Sequence, residues 1–86
     1  MKETFRKSLG ETVQQRRQEL RLTQDELAKL SALHRTYISD VERGTRNVSL
    51  DTLVQLSKGL SISLSTLFSN AERRASAHVG GDDRKN

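Results

Sequence analysis

The chain has 86 residues, of which 15 are Lys or Arg and 11 are Asp or Glu, giving a formal net charge of +4. It contains no cysteine, which excludes a disulfide framework, a cysteine-ligated zinc site and a thiol nucleophile. No apolar run exceeds two residues, so we expect neither a membrane span nor a secretory signal. These limits predict one small, mostly helical, cytoplasmic domain. The positive surplus suits a nucleic-acid partner, but it equally suits a protein that merely stays soluble.

The first predicted helix runs from about Glu3 to Arg21. Its apolar residues recur at the spacings of one helical face, namely Phe5, Leu9, Val13 and Leu20. Gly10 lies inside this predicted helix, where glycine destabilises a helix by about 1 kcal/mol relative to alanine. It therefore weakens the helical pattern at this point.

A second helix is predicted from Thr23 to about Ser31-Ala32. Thr23 and Glu26, three residues apart, form the pattern of a capping box, and Leu22 and Leu27 stand where a hydrophobic staple would form. The apolar positions of this helix are Leu27, Ala28 and Leu30.

A third helix is predicted from His34 or Arg35 to about Arg43, and Gly44 is a suitable C-terminal stop because it tolerates positive φ. Its buried side is expected to consist of Tyr37, Ile38 and Val41.

Two further helices are predicted towards the end of the apolar pattern. Ser49 is expected to cap the fourth, which ends at Lys58-Gly59, and Ser63 or Ser65 opens a short fifth. Their apolar positions are Leu50, Leu53, Val54 and Leu56 in the fourth helix and Leu64, Leu67 and Phe68 in the fifth.

Apolar residues become sparse after Phe68, where the predicted core ends. Good helix formers over 71–75 are expected to extend the fifth helix to about Ser76, and no core-forming pattern follows. The sequence therefore predicts a folded domain over 1–69 and a tail over 70–86 that is first helical and then disordered.

The second and third helices, with a turn of about three residues between them, form a helix-turn-helix pattern. In such a unit the second helix enters the major groove, and its N-terminal residues reach base edges. The exposed side of this predicted recognition helix, residues 34–43, carries side chains that can all form hydrogen bonds: His34, Arg35, Thr36, Ser39 and Asp40.

Four segments follow one another at a characteristic spacing: Leu22-Thr23-Gln24-Asp25-Glu26-Leu27-Ala28, Arg35-Thr36-Tyr37-Ile38-Ser39, Val41-Glu42-Arg43-Gly44 and Ser49-Leu50-Asp51-Thr52-Leu53. Together they resemble the lambda-repressor-like, or XRE, helix-turn-helix regulators over about residues 5–68. The run from Arg35 to Asn47 is most similar to the controller proteins of restriction–modification systems. The resemblance implies a compact, all-α, five-helix fold that binds double-stranded DNA without a cofactor.

The resemblance also implies that Arg35 and Thr36 read bases, with Ser39 and Asp40 one turn further along. An arginine fork can meet guanine O6 and N7 together, which is worth about 1–3 kcal/mol of discrimination. For Arg35 the alternative is a phosphate contact alone. For Asp40 two interpretations stay open: it accepts a hydrogen bond from a cytosine amino group, or it faces solvent or pairs with an arginine because phosphates repel it.

Phosphate contacts are implied for six residues: Gln24, His34, Tyr37, Arg43, Arg46 and Asn47. The attraction of the two arginines to phosphate is independent of base sequence and falls with salt. Alternatives stay open for four of the six. Gln24 can be an ordinary polar residue of the first turn, His34 a cap, Tyr37 a core residue and Arg46 a solvated loop charge.

Three further features are expected to shape the fold. Arg17 and Glu42 align with a family ion pair that joins the first helix to the end of the third, and such a pair fixes position more than it adds stability. Ala32 stands where the family usually has Gly, so a left-handed backbone there is strained. Val48 stands where Pro is common, so we expect a more mobile loop.

The last two helices carry more apolar residues than a short terminal helix needs, at Leu60, Ile62, Leu64, Leu67 and Phe68. In the family this region often forms a two-fold dimer interface, and the alternative is that these residues are simply core. A homodimer would present two recognition helices ~34 Å apart to a near-palindromic site.

An enzyme is not expected, because two His, no Cys and no glycine-rich phosphate loop leave no nucleophile–base pair and no metal-ligand cluster. We therefore predict a homodimeric, sequence-specific transcriptional regulator with no metal, cofactor or small-molecule ligand. Two alternatives stay open: a module that binds a protein through the third helix, and the DNA-binding antitoxin of a toxin–antitoxin pair, whose toxin would contact the tail from Ala71.

Overall fold

Five α-helices make up the regular structure of the described part of the chain. The structure, a computed structural model, describes the backbone of residues 3–83 and the side chains of residues 3–77. In chain order the helices are α1 (Glu3–Glu19), α2 (Gln24–Ser31), α3 (Arg35–Arg43), α4 (Leu50–Gly59) and α5 (Leu64–Asp83). No strand occurs within residues 3–83, so the predicted all-α, five-helix architecture is confirmed. None of the described helices is long and apolar enough to cross a bilayer.

Helix α1 ends at Glu19, two residues before the predicted end. Arg21 adopts a left-handed backbone with φ of 59°, and the N–H of Leu22 donates to the carbonyl of Arg17 at 3.0 Å. This hydrogen bond satisfies a free carbonyl of the last turn and terminates the helix.

Helix α2 begins with the predicted capping box. The Thr23 hydroxyl accepts from the Glu26 N–H at 3.0 Å, and the Glu26 carboxylate accepts from the Thr23 N–H at 2.8 Å. Leu30, one of the three apolar positions of the predicted helix, lies outside the core with its side chain 59% exposed. Ser31 continues the buried face instead, since a residue four positions after Leu27 returns to the same side of a helix.

The ends of α3 and α4 follow the predicted residues closely. Gly44 terminates α3 with φ of 74°, and the Ser49 hydroxyl accepts from the Thr52 N–H at the start of α4. Leu50 was expected to be an apolar packing position, but its side chain is 66% exposed. It is the first residue of α4, one turn ahead of Leu53, where the buried part of the helix begins.

Helix α5 is longer than predicted. Ser63 caps its first turn by accepting from the Thr66 N–H at 3.0 Å, and the helix continues to Asp83 rather than ending near Ser76. Ala71 is fully buried, so the core does not end at Phe68 as expected. The helix is continuous across residues 69 and 70. The division between domain and tail at that point stays a prediction. Residues 84–86 of the predicted tail lie outside the described residues.

The core combines apolar side chains from all five helices and from the loop before α4. Val48, at the position where proline was expected from the family pattern, is one of its buried members. At the edge of the core, the Phe5 and Phe68 rings meet edge to face with centroids 5.6 Å apart, which ties α1 to α5. The buried apolar residues are Leu9, Val13, Leu27, Ala28, Ile38, Val41, Val48, Leu53, Leu56, Leu60, Leu67 and Ala71.

At Gly10 the backbone of α1 lies close against the carbonyl groups of Val41 and Glu42 in α3. A Cβ atom at this position would lie 2.7 Å from the Glu42 carbonyl oxygen and would also collide with the carbonyl of Val41. The glycine that weakens the helical pattern in the sequence is therefore required by packing, because it lets α1 touch the backbone of the third helix.

A buried ion pair joins the same two helices. Arg17 donates from Nε to Glu42 Oε2 at 2.6 Å and from Nη2 to Oε1 at 3.1 Å, and the Glu42 side chain is only 3% exposed. A third donor, Arg17 Nη1, binds the Leu22 carbonyl at 2.8 Å. The predicted pair is thus present, and it also holds the segment that leads into α2.

Replacing Gly10 by Ala should destabilise the fold by about 1–3 kcal/mol, because the added methyl group has no space. The same change usually stabilises a helix by about 1 kcal/mol, so the sign of the effect is diagnostic. Urea unfolding of Gly10→Ala, with Gln14→Ala on the exposed face of α1 as the control, measures it. A Gly10→Ala protein as stable as the parent would contradict the close packing.

Removing Glu42 should cost about 3–5 kcal/mol, since Glu42→Ala leaves the buried Arg17 without its partner. The exposed pair between Arg35 and Asp25 provides the control, and Asp25→Asn should change stability by less than about 1 kcal/mol. The double variant Arg17→Met/Glu42→Leu should recover most of the loss. Equal urea midpoints for the Glu42 and Asp25 variants would show that the pair is not buried.

Candidate nucleic-acid interface

Helices α2 and α3 and the turn between them form the predicted helix-turn-helix unit. The turn passes through Ala32, whose φ of 57° and ψ of 43° are left-handed, and the N–H of Leu33 donates to the Ala28 carbonyl at 2.9 Å. The strained backbone expected for a non-glycine residue at position 32 is therefore present, and the hydrogen bond of Leu33 helps to hold it.

Helix α3 divides into a packed side and an open side. Ile38 and Val41 are buried in the core, and Tyr37 packs against its edge. The three residues at its N-terminal end, His34, Arg35 and Thr36, are exposed. The helix is therefore anchored by one face and presents hydrogen-bonding side chains at its N-terminal end.

Arg35 and Thr36 are the most accessible of the candidate base-reading residues. The Arg35 guanidinium lies 3.4 Å from the Asp25 carboxylate, but both side chains are more than 60% exposed. An ion pair so open to water is weak, so Asp25 does not prevent Arg35 from binding another group. Ser39 and Asp40, one turn further along, are half-buried.

The Asp40 carboxylate is bound by two arginines. Arg43 donates to one oxygen and Arg46 donates to the other at 2.9 Å. Arg43 also donates to the Ser39 hydroxyl at 2.9 Å. Of the two roles considered for Asp40, a base contact or pairing with an arginine, the structure shows the pairing with arginine.

Tyr37 has a second contact beside its packing against the core, whereas His34 forms no capping hydrogen bond. The Arg46 guanidinium carbon lies 4.5 Å from the centroid of the Tyr37 ring. One face of the tyrosine therefore supports a loop arginine, while the residue also packs against the core. His34 occupies the N-cap position of α3 but forms no side-chain capping hydrogen bond. His34 is therefore the N-cap residue by position, as that alternative has it, but its side chain does not cap the helix.

Gln24 lies at the first turn of α2, where it contacts the buried ion pair. Its Nε2 donates to Glu42 Oε1 at 3.0 Å, so the carboxylate holds the amide in place. A primary amide has two N–H bonds, and this contact uses one of them.

Sequence reasoning missed Arg6. It donates from Nε to the Gly44 carbonyl at 3.4 Å and from Nη1 to Asn47 Oδ1 at 3.2 Å, so α1 supports the loop after the recognition helix. A signal for this existed, because Arg6, Gly10 and Arg17 follow one another at spacings of four and seven residues and share one helix face.

The predicted dimer interface needs a correction. Leu60 and Leu67 are fully buried within the protomer as members of its hydrophobic core, so a second subunit has no access to them. The other three residues, Ile62, Leu64 and Phe68, are partly buried at the edge of the core. They are the members of the set that a partner could still cover.

Among the residues with described side chains, no three acidic or histidine groups converge as metal ligands.

A model of the helix-turn-helix family matches residues 13–67 of the chain. The chain is 48% identical over 63 residues to control protein C.BamHI of Bacillus amyloliquefaciens. This alignment covers 72% of this chain and 78% of that protein. It is also 48% identical over 60 residues to control protein C.SmaI of Serratia marcescens, covering 70% and 71% of the two chains.

A solved structure is similar in fold as well as in sequence. The restriction-modification controller protein C.AhdI from Aeromonas hydrophila superposes with a TM-score of 0.71 at 39% identity, covering 72% of this chain and 94% of that one. The chain therefore belongs to the XRE-type, lambda-repressor-like helix-turn-helix family, whose members are DNA-binding transcriptional regulators rather than enzymes, and its relatives include restriction–modification controller proteins.

Proposed function

We propose that this protein is a sequence-specific regulator that inserts the N-terminal end of its recognition helix, residues 34–43, into the major groove of DNA. The observation that carries the proposal is the division of α3 into a core-anchored side, with Ile38 and Val41 buried, and an exposed N-terminal end. A helix in this arrangement can bring side chains to base edges without unpacking from the core.

Arg35 is the main candidate for reading a base. Its side chain is 62% exposed, and its fork matches guanine O6 and N7. Thr36 is its exposed neighbour and offers a hydroxyl to an adjacent base or phosphate. Base contacts by Ser39 and Asp40 stay predictions, because both side chains already bind Arg43.

Phosphate contacts are proposed on both sides of α3. Gln24 approaches from the start of α2, held by Glu42, while Arg43, Arg46 and Asn47 approach from the helix end and the loop that follows. His34 and Tyr37 complete the proposed set. These contacts fix the register of the protein on the duplex, whereas the base contacts supply the specificity.

We further propose that the protein acts as a homodimer on a near-palindrome. Ile62, Leu64 and Phe68 form the proposed dimer surface at the edge of the core. A two-fold dimer presents two copies of α3 to half-sites ~34 Å apart.

The regulated genes are proposed to be those of a restriction–modification system. The support is the 48% identity to two proteins named as control proteins. A footprint of the purified protein on the DNA upstream of its own gene and its neighbours tests this directly. Strong loss of affinity with rising salt would separate DNA binding from a protein-interaction module, because phosphate contacts release counterions.

Arg35→Ala should weaken binding to the specific site by about 1–3 kcal/mol and leave binding to random duplex almost unchanged. Arg46→Ala should weaken both alike, because a phosphate contact carries no sequence information. Fluorescence anisotropy with the footprinted site and with random duplex measures both effects. Equal losses on the two DNAs for Arg35→Ala would remove its base-reading role.

The double variant Ile62→Ser/Leu64→Ser should shift the protein from dimer to monomer in sedimentation equilibrium, because it removes apolar area from the proposed dimer surface. Leu50→Ser, which changes a leucine that is 66% exposed outside that surface, is the control and should leave the dimer intact. Circular dichroism verifies that both variants are folded. A dimer that survives the double change would place the interface elsewhere.

A further inference from the structure

The end of the recognition helix carries a compact cluster of charges around Asp40. Both oxygens of this carboxylate accept hydrogen bonds, one from Arg43 and the other from Arg46. The Asp40 side chain is only 18% exposed, whereas the two arginine side chains are 61% and 44% exposed. The carboxylate therefore lies beneath two guanidinium groups that face solvent.

Both arginines are restrained from a second side. Arg43 donates its Nη1 proton to the Ser39 hydroxyl at 2.9 Å, and Arg46 stacks over the Tyr37 ring at 4.5 Å. The two guanidinium groups are thus held at defined positions around one anion. Carboxylate and phosphate are recognised by arginine with similar hydrogen-bond geometry, so Asp40 occupies the arginines as a phosphate would.

We propose that Asp40 lowers the affinity for duplex DNA of any sequence by competing with phosphates for Arg43 and Arg46. The inference rests on the proposed function, since it assumes that these arginines face the DNA backbone. Phosphate contacts supply essentially all of non-specific binding, so a duplex of random sequence shows this competition most clearly. At the correct site the base contacts of Arg35 add further affinity, and Asp40 lowers the specific and the non-specific affinity by the same factor, because a phosphate contact carries no sequence information.

The test is Asp40→Asn, which keeps the shape of the side chain and removes its charge. Binding of a short random-sequence duplex should tighten, and for each arginine released to bind phosphate the gain at about 50 mM salt should be about threefold larger than the gain at about 200 mM salt. The plot of log affinity against log salt should steepen by about 0.9 for each arginine released to bind phosphate. The ratio of specific to random affinity should stay the same, because phosphate contacts carry no sequence information.

Two controls separate this mechanism from a change in net charge. Glu72→Gln removes one negative charge from an exposed position on α5, outside the helix-turn-helix unit, and should leave affinity for random duplex unchanged at moderate salt. In a protein that already carries Arg43→Gln and Arg46→Gln, the further change Asp40→Asn should leave the affinity for random duplex almost unchanged. The two arginines through which Asp40 acts are absent there, so the comparison is a mutant cycle. Asp40→Ala should change the affinity in the same direction as Asp40→Asn, and thermal melting verifies that all variants are folded.

The outcomes are distinguishable from a failure of the proposed function. A parent protein that binds no duplex even at low salt would overturn both proposals. If the parent binds random duplex and Asp40→Asn binds it no more tightly than the parent, this inference alone is overturned. The same holds if Glu72→Gln raises the affinity for random duplex as much as Asp40→Asn does. Loss of affinity only for the footprinted site in Asp40→Asn would also overturn it, since that result assigns Asp40 a base contact.

Discussion

The position of the recognition helix depends on the buried pair between Arg17 and Glu42. Its hydrogen bonds reach four parts of the chain: α1, the carbonyl of Leu22 before α2, the Gln24 amide and the end of α3. Replacing such a pair with apolar residues often costs no stability, so its contribution is geometric. It fixes the candidate phosphate-binding amide and the recognition helix relative to one anchor, while Gly10 allows the two helix backbones to meet closely enough to form it.

Local features of the fold could be predicted from the sequence because their cause is local. The capping box of Thr23 and Glu26 needs only two residues three positions apart, and Gly44 ends α3 because its own backbone tolerates positive φ. The left-handed turn at Ala32 followed from family spacing although the residue itself disfavours it. The helix-turn-helix unit could therefore be predicted without knowledge of any tertiary contact.

Features that depend on tertiary packing could not be read in the same way. Leu30 and Leu50 are apolar residues in helices, but their exposure depends on where the packed part of each helix begins and ends. Leu60 and Leu67 were predicted to lie in a dimer interface, but both are fully buried in the core of the protomer. The partners of Asp40 depend on how the loop after α3 folds back, and the role of Arg6 depends on how α1 crosses that loop.

Methylation interference on the footprinted DNA tests the central claim, entry of α3 into the major groove, most directly. Dimethyl sulfate modifies guanine N7, an acceptor that an arginine reads in that groove. We expect methylation of guanines in two clusters about one helical turn apart to block binding, as a two-fold pair of recognition helices requires. Interference confined to adenine N3 in the minor groove, or no interference at any base, would contradict the account.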